Sequence, residues 1–243
     1  MLIKELADKL TAWLDNMLKE TGTESFIVGL SGGIDSAVVA ALCSRAKPND
    51  TYGYIMPCHS NPDDAKYGQM VADAFNIPTK VVALDDVFDT MLLKLTDERY
   101  EDNITNLTFA NIKPRLRMTT LYFYAAKHKG LVVGTGNKAE ITVGFYTKYG
   151  DGGCDILPLA NLSKAKVFEM AKYLGVPQPI IDKRPSAGLW HGHDDEDEMG
   201  ITYKDLDHYI ETGEAKPEVK KVIERLNRKS EHKRHMPPTP PDF

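Results

Sequence analysis

An apolar run, Phe26-Ile27-Val28-Gly29-Leu30, leads directly into Ser31-Gly32-Gly33-Ile34-Asp35-Ser36, and a stretch rich in alanine and valine follows. That order spells strand, glycine-rich turn and a helix beginning near Ser36. Adjacent glycines let the backbone turn tightly and aim its N–H groups at an anion, while the helix points its positive dipole end at the same spot. Ser31 and Ser36 add hydroxyl donors, and the Asp35 carboxylate is able to hold a magnesium ion. Gly29, Leu30, Ser31, Gly32, Gly33, Ile34, Asp35 and Ser36 therefore form a candidate phosphate cradle. The loop lacks the Lys-Ser/Thr ending of the G-x-x-x-x-G-K-[ST] pattern, and G-x-G-x-x-G occurs nowhere in the chain. Neither a Walker-type loop nor the standard dinucleotide fingerprint is indicated. The bland alternative is an ordinary glycine-rich bend between a strand and a helix.

After this loop, short apolar runs at Tyr52 to Met56, Lys80 to Leu84 and Leu131 to Val133 alternate with longer helical patterns. Such alternation predicts an α/β fold, a Rossmann-like parallel sheet flanked by helices. Ligands in that architecture sit at the carboxyl ends of the strands, so the first loop and Gly134-Thr135-Gly136-Asn137 are expected to share one crevice. Leu2, Leu6, Leu10, Trp13, Leu14 and Met17 recur at helical spacing and predict one amphipathic helix ending near Gly22. Pro114 interrupts a long helical stretch from Asn103 to Lys129 and marks a helix start or a kink. Pro177, Pro179 and Pro185 read as a loop continuing through the acidic run Asp194 to Glu198. Helical patterns at Tyr203 to Ile210 and Glu218 to Leu226 give a short helical C-terminal region, and the proline-rich tail after Met236 excludes further regular structure. The expectation is one domain over residues 1–243, with residues 203–243 part of it.

No apolar stretch approaches the ~20 residues of a bilayer span, and the N-terminal pattern contains charges, so neither a membrane helix nor a signal peptide is expected and the location is read as cytoplasmic. A net charge of −5 argues against a broad nucleic-acid surface. Cys43, Cys58 and Cys154 are odd in number and widely spaced, which gives no zinc pattern or disulfide framework and suits core residues.

The S-G-G-x-D-S string resembles the pyrophosphate loop of the ATP pyrophosphatases, enzymes that split ATP between its α and β phosphates and activate a carboxylate or carbonyl as an adenylate. Further along lie Gly134-Thr135-Gly136-Asn137-Lys138-Ala139-Glu140, Phe145-Tyr146-Thr147-Lys148-Tyr149-Gly150-Asp151-Gly152-Gly153, Asp155, Pro158-Leu159 and Leu162-Ser163-Lys164. Together with the first loop, these resemble the ammonia-dependent NAD synthetases over nearly the whole chain. The resemblance implies an adenine nucleotide alpha hydrolase-like fold and a ligase that amidates nicotinic acid adenine dinucleotide (deamido-NAD) to NAD, the last step of NAD biosynthesis. With only about twenty-five residues before the first strand there is no room for an amidase domain, so the nitrogen donor is expected to be free ammonia or ammonia from a separate glutaminase.

The resemblance also implies roles. The loop from Gly29 to Ser36, with Thr135, Lys164 and Ser186, lines the ATP site, serine standing at 186 where threonine is more usual. Asp35 and Glu140 hold Mg²⁺ against the phosphates. Arg115, Lys148, Asp155, His232 and Lys233 bind deamido-NAD, which in this family sits at a homodimer interface; the Asn103 to Lys129 pattern is a candidate for it. Chemistry asks for these groups: ammonia does not attack a carboxylate, so adenylation must come first, and positioning with charge neutralisation supplies the acceleration. Asp151, on a glycine-rich loop, is a candidate to bind ammonium and take its proton. It is equally a turn aspartate. His191, His193 and the acidic run after them suit a lid over the nucleotides better than a transition-metal site. Competing readings are another ATP pyrophosphatase, GMP synthetase-like or a tRNA thiolase, and a non-catalytic nucleotide-binding module. A thiolase wants cysteines poised for sulfur transfer and a basic RNA surface, neither of which is evident, and the binding module leaves the spacing of Asp35, Glu140, Lys148 and Lys164 unexplained.

Overall fold

The computed structural model describes residues 2–97, 99–101, 106–186, 188, 190 and 194–242. Four parallel strands form the sheet: β1 (Ser25–Gly29), β2 (Thr51–Ile55), β3 (Thr79–Val81) and β4 (Gly130–Val133), in the order β3-β2-β1-β4. The chain steps outward from β1 through β2 to β3, then returns to place β4 on the other side of β1. The order therefore reverses between β1 and β4, and the crevice above their carboxyl ends is where such sheets bind ligands.

Side-chain alternation along the strands builds a core on each face. Phe26, Val28, Ile55, Leu131 and Val133 point to one side, where they meet α1 (Ile3–Thr21), α2 (Ile34–Ala46), α3 (Pro62–Ala74), α8 (Lys164–Leu174) and α9 (Gln178–Ile181). Ile27, Tyr54 and Val132 point to the other, against α4 (Asp85–Thr96) and α6 (Ile112–His128). Every residue from Ser36 to Cys43 in α2 is buried, and its alanines let α1 and α8 pack closely on the flank away from the sheet. A third cluster joins α7 (Lys138–Val143), α11 (Tyr203–Thr212) and α12 (Pro217–Lys229) through Ala139, Val143, Leu206 and Ile223. The amphipathic N-terminal helix ends where expected, with Gly22 left-handed at φ 67°.

Several local expectations shift. The first turn of α2 begins at Ile34 instead of near Ser36, and the third strand is Thr79–Val81 instead of Lys80 to Leu84. The stretch around Pro114 divides into α5 (Leu107–Ala110) and α6, with Pro114 in the first turn of α6, where its missing N–H costs no helical bond. Asn103 lies outside the described residues. The Pro177 loop contains α9, because Pro179 likewise suits a first turn, and the acidic run forms α10 (Asp195–Met199), capped by Asp194 whose carboxylate accepts the Glu196 N–H at 2.9 Å. No helix among the described residues is long and apolar enough to cross a membrane.

Candidate active site

The loop after β1 is held open by its own geometry. Gly32 adopts φ +75°, and a Cβ there would stand 2.6 Å from the Asp64 carbonyl oxygen and 2.8 Å from Tyr67 Cβ, so only glycine fits between this loop and α3. Ser31 and Ser36 hydroxyls lie 3.0 Å apart across the turn. The first turn of α2 thus faces a cavity of about 500 Å³ lined by Gly29, Leu30, Ser31, Gly33, Ile34, Asp35 and Ser36, with Gly32 turned away toward α3.

The loop after β4 supplies the facing wall. Asn137 caps α7 and forms a reciprocal box with Glu140: its side chain accepts the Glu140 N–H, and the Glu140 carboxylate accepts the Asn137 N–H, both at 3.1 Å. The Asn137 amide also donates to Asp35 at 2.9 Å, fixing the two loops to each other. Lys164 then enters from the first position of α8, a poor place for a cation on dipole grounds. It is 3% exposed, and its ammonium lies 2.5 Å from Asp35 and 3.5 Å from Glu140, with the Tyr203 ring at 4.6 Å. Burial alone would lower its pKa, but the two carboxylates outweigh burial and raise it. Glu140 is pushed up to about 8, first by burial and then by Asp35, with Lys164 opposing.

Four residues that the motifs did not single out complete this group. Besides Asn137, Tyr203 donates its hydroxyl toward Glu140 at 3.3 Å and Asp195 at 3.1 Å. Asp207 accepts the backbone N–H groups of Lys164 at 3.0 Å and Ala165 at 2.8 Å, holding the start of α8. Tyr203 and Asp207 both lie on α11, one turn apart, which sequence spacing alone connects to nothing upstream. Among the described residues no three His, Cys, Asp or Glu side chains form a metal cage. The donor chemistry suits an ion that takes only one or two carboxylates and completes its shell with phosphate oxygen and water: Asp35 and Glu140 both face the Lys164 ammonium, and a hard cation would add to the charge balancing the pair.

A second lobe of the cavity is lined by Arg117, Phe145, Tyr146, Thr147, Asp151, Cys154, His232 and Lys233. Gly144, at φ +67°, brings the chain so close to Ser230 that a Cβ would lie 2.1 Å from that serine's Cβ, and this contact seats the segment Glu231–Lys233 beside the cavity. Lys233 donates to the Gly144 and Tyr146 carbonyls at 2.7 and 2.5 Å. The Asp151 carboxylate accepts the Thr147 N–H at 2.8 Å; burial raises its pKa despite that bond. Burial also pushes the Cys58 and Cys154 thiols up to about 11 and raises Cys43, so all three remain protonated near neutrality, in line with core positions.

Thr135, Lys164 and Ser186 line the cavity as expected. Arg115, Lys148 and Asp155 do not. Arg115 is exposed and donates to the Lys148 carbonyl at 3.4 Å, the Lys148 ammonium donates to the His232 carbonyl, and Asp155 accepts the Tyr122 hydroxyl at 2.9 Å and the Val132 N–H at 2.7 Å. His191 and His193 lie outside the described residues.

The model of NAD synthase matches residues 6–237. The chain belongs to the NAD synthase family. An NH(3)-dependent NAD(+) synthetase from Carboxydothermus hydrogenoformans is 48% identical over 237 residues, 98% of this chain and 97% of that protein. Among solved structures, an NMN synthetase from Francisella tularensis superposes with a TM-score of 0.93 at 38% identity, covering 99% of each chain. An NH3-dependent NAD synthetase from Campylobacter jejuni, solved with a nitrate ion, gives 0.81 at 27% identity, covering 99% of this chain and 100% of that one. NAD synthases are ATP-using ligases that form a C–N bond.

Proposed function

We propose that this cavity amidates nicotinic acid adenine dinucleotide with free ammonia at the expense of ATP, through an acyl adenylate, releasing pyrophosphate and then AMP. The observation that carries this reading is the convergence of Asp35, Glu140 and Lys164, from two strand-end loops and a helix start, beside the phosphate loop. Residues 29–36 receive the departing pyrophosphate on backbone N–H groups and hydroxyls. Lys164 draws off phosphate charge, Thr135 and Ser186 bind ATP, and Asp207 keeps the ammonium of Lys164 in place by fixing its backbone. Asp35 and Glu140 would hold Mg²⁺, which when bound neutralises phosphate charge during adenylation. Asp151, its carboxyl raised by burial, takes a proton from ammonium in the second lobe.

Arg115 and Tyr122, both on α6, hold the Lys148 carbonyl and the Asp155 carboxylate, and Phe123 on the same helix is 64% exposed. A second copy covering this face would turn it into a site for the far half of the dinucleotide, together with His232 and Lys233, and a homodimer is therefore part of the proposal. Residues 203–243 belong to the same domain as the sheet, since Tyr203 and Asp207 help build its site. The location is cytoplasmic.

The likeness to the Francisella enzyme favours a second reading, in which nicotinic acid mononucleotide is the acceptor and NMN the product. Both readings share the adenylated group; they differ in whether the outer face of α6 is used. Purified protein with ATP, Mg²⁺ and ammonium or glutamine is assayed with each acceptor, following amide, AMP and pyrophosphate. Amide from the dinucleotide with ammonium and not glutamine, together with a loss confined to that acceptor on Arg115→Ala, supports the main reading. A higher kcat/KM for the mononucleotide, unchanged by Arg115→Ala, supports the second, and AMP-free binding of ATP refutes both.

A further inference from the structure

Arg117 stands two residues from Arg115 on α6 and points the opposite way, into the cavity. Its Nε donates to the Met56 carbonyl at 3.1 Å and one terminal nitrogen, Nη2, to the Ser60 hydroxyl at 2.9 Å, both on the segment that follows β2. The guanidinium is thereby clamped at one edge. Its other terminal nitrogen, Nη1, has no protein partner, and no buried side-chain nitrogen or oxygen among the described residues lacks one, so Nη1 opens on the cavity. Two other cations that line the cavity are paired: Lys164 touches Asp35 and Glu140, and Lys183 lies 2.5 Å from Asp64, whereas among the described residues Arg117 is in ion-pair contact with no carboxylate. Removal from water lowers its pKa, and the carboxylates of Asp151, Asp64 and Asp85, in that order of influence, act on it only at a distance. Guanidinium stays charged at any ordinary pH, so a cation sits partly desolvated with its Nη1 nitrogen unengaged and no carboxylate partner among the described residues.

Its position narrows the anion. Asp64 belongs to α3, whose backbone abuts Gly32 in the phosphate loop, and Asp151 belongs to the loop assigned to ammonia. Arg117 lines one cavity with the phosphate loop, where pyrophosphate leaves, and with Asp151, where ammonia arrives. The reacting group between those places is the α-phosphoryl. The acceptor's carboxylate loses its charge on adenylation, while the α-phosphoryl keeps one throughout and gains another when AMP departs. A planar fork matches phosphate oxygens.

We propose that Arg117 binds the α-phosphate of ATP, of the acyl adenylate and of the departing AMP through its Nη1 edge. This deepens the reaction proposed above and rests on it for the adenylate, but not for AMP itself.

AMP and adenosine, which differ only in that phosphate, are the probes. Calorimetric affinities for both are measured on the wild-type protein, Arg117→Gln and Arg117→Lys, alongside thermal melting and amide formation. A charge-assisted contact predicts that the AMP-to-adenosine affinity ratio falls roughly 10- to 100-fold in Arg117→Gln, with adenosine affinity unchanged. Arg117→Lys, which keeps charge but loses the fork, falls between; it also serves as the test if the glutamine variant does not fold. An unchanged ratio in the folded variants, or equal losses for AMP and adenosine, overturns the proposal and leaves Arg117 as a clamp on the β2 loop. If the wild-type protein forms no amide yet the ratio still falls, the reaction is wrong and the phosphate contact stands.

Discussion

Glu140→Gln should stabilise the ligand-free protein at alkaline pH while disabling it as an enzyme. Glu140 is buried beside Asp35, and its carboxyl is pushed from an ordinary 4.5 to about 8. The folded-state pKa lies above the unfolded one, so between the two the native protein holds a proton that the unfolded chain has released. Stability from this group is complete below about 4.5 and is lost as pH rises toward about 8. The slope is about 1.4 kcal/mol per pH unit at most, which makes roughly 2 kcal/mol between about pH 6 and about pH 7.5. For a chain of this size that corresponds to a fall of roughly 4–8 °C in Tm. Glutamine has nearly the same shape and no charge to desolvate, so its profile lacks this component. Melting is followed in chelator from pH 5.5 to 9, with both proteins in the same buffers so that other titrations cancel. The wild-type curve should drop away from the variant as pH rises, and adenylation should fall by at least about 100-fold in the variant through loss of a metal-holding carboxylate. Parallel melting curves across the range would refute the reasoning, because they would mean that Glu140 is ionised at no cost beside Asp35.

Lys164→Met removes the cation 2.5 Å from Asp35 and should destabilise the protein by about 3–5 kcal/mol near neutrality, which thermal melting checks. Gly32→Ala forces a side chain into φ +75° against the Asp64 carbonyl, costing about 1–2 kcal/mol for the backbone alone and weakening ATP binding, with melting and calorimetry as readouts. Asp151→Asn should raise the ammonium concentration needed for half-maximal amide formation; unchanged ammonium kinetics would remove Asp151 from the mechanism. Phe123→Asp places a charge on the proposed interface and should shift sedimentation from dimer to monomer with the melting temperature of the monomer preserved.

The parts of this site that were legible in sequence are those written in contiguous residues. Phe26 through Ser36 encodes strand, loop and helix because two glycines, two serines and an aspartate act within one turn of backbone, and the structure shifts the helix start by only two positions. Asn137 to Glu140 was legible only as a motif after a strand; that it closes on itself as a capping box came from the structure. Pro114 takes the helix start that was one of its two readings, and Pro179, read as loop, also sits in a first turn, which has no bond for its missing N–H to lose.

Residue types and local turns were thus determined by the sequence alone, and with them the chemical class of the loop. What only the tertiary structure decided is who meets whom. Lys164 reaches Asp35 across 129 positions, and Tyr203 and Asp207 come from a helix with no motif of its own to hold Glu140 and the start of α8. Arg115 and Arg117 look interchangeable in the string, yet two steps along a helix turn a side chain by about 200°. One therefore lies outside with Lys148, and the other projects into the cavity. That choice depends on which face of α6 packs against the sheet, a matter settled by burying Ile112, Tyr124 and Ala125 rather than by either arginine.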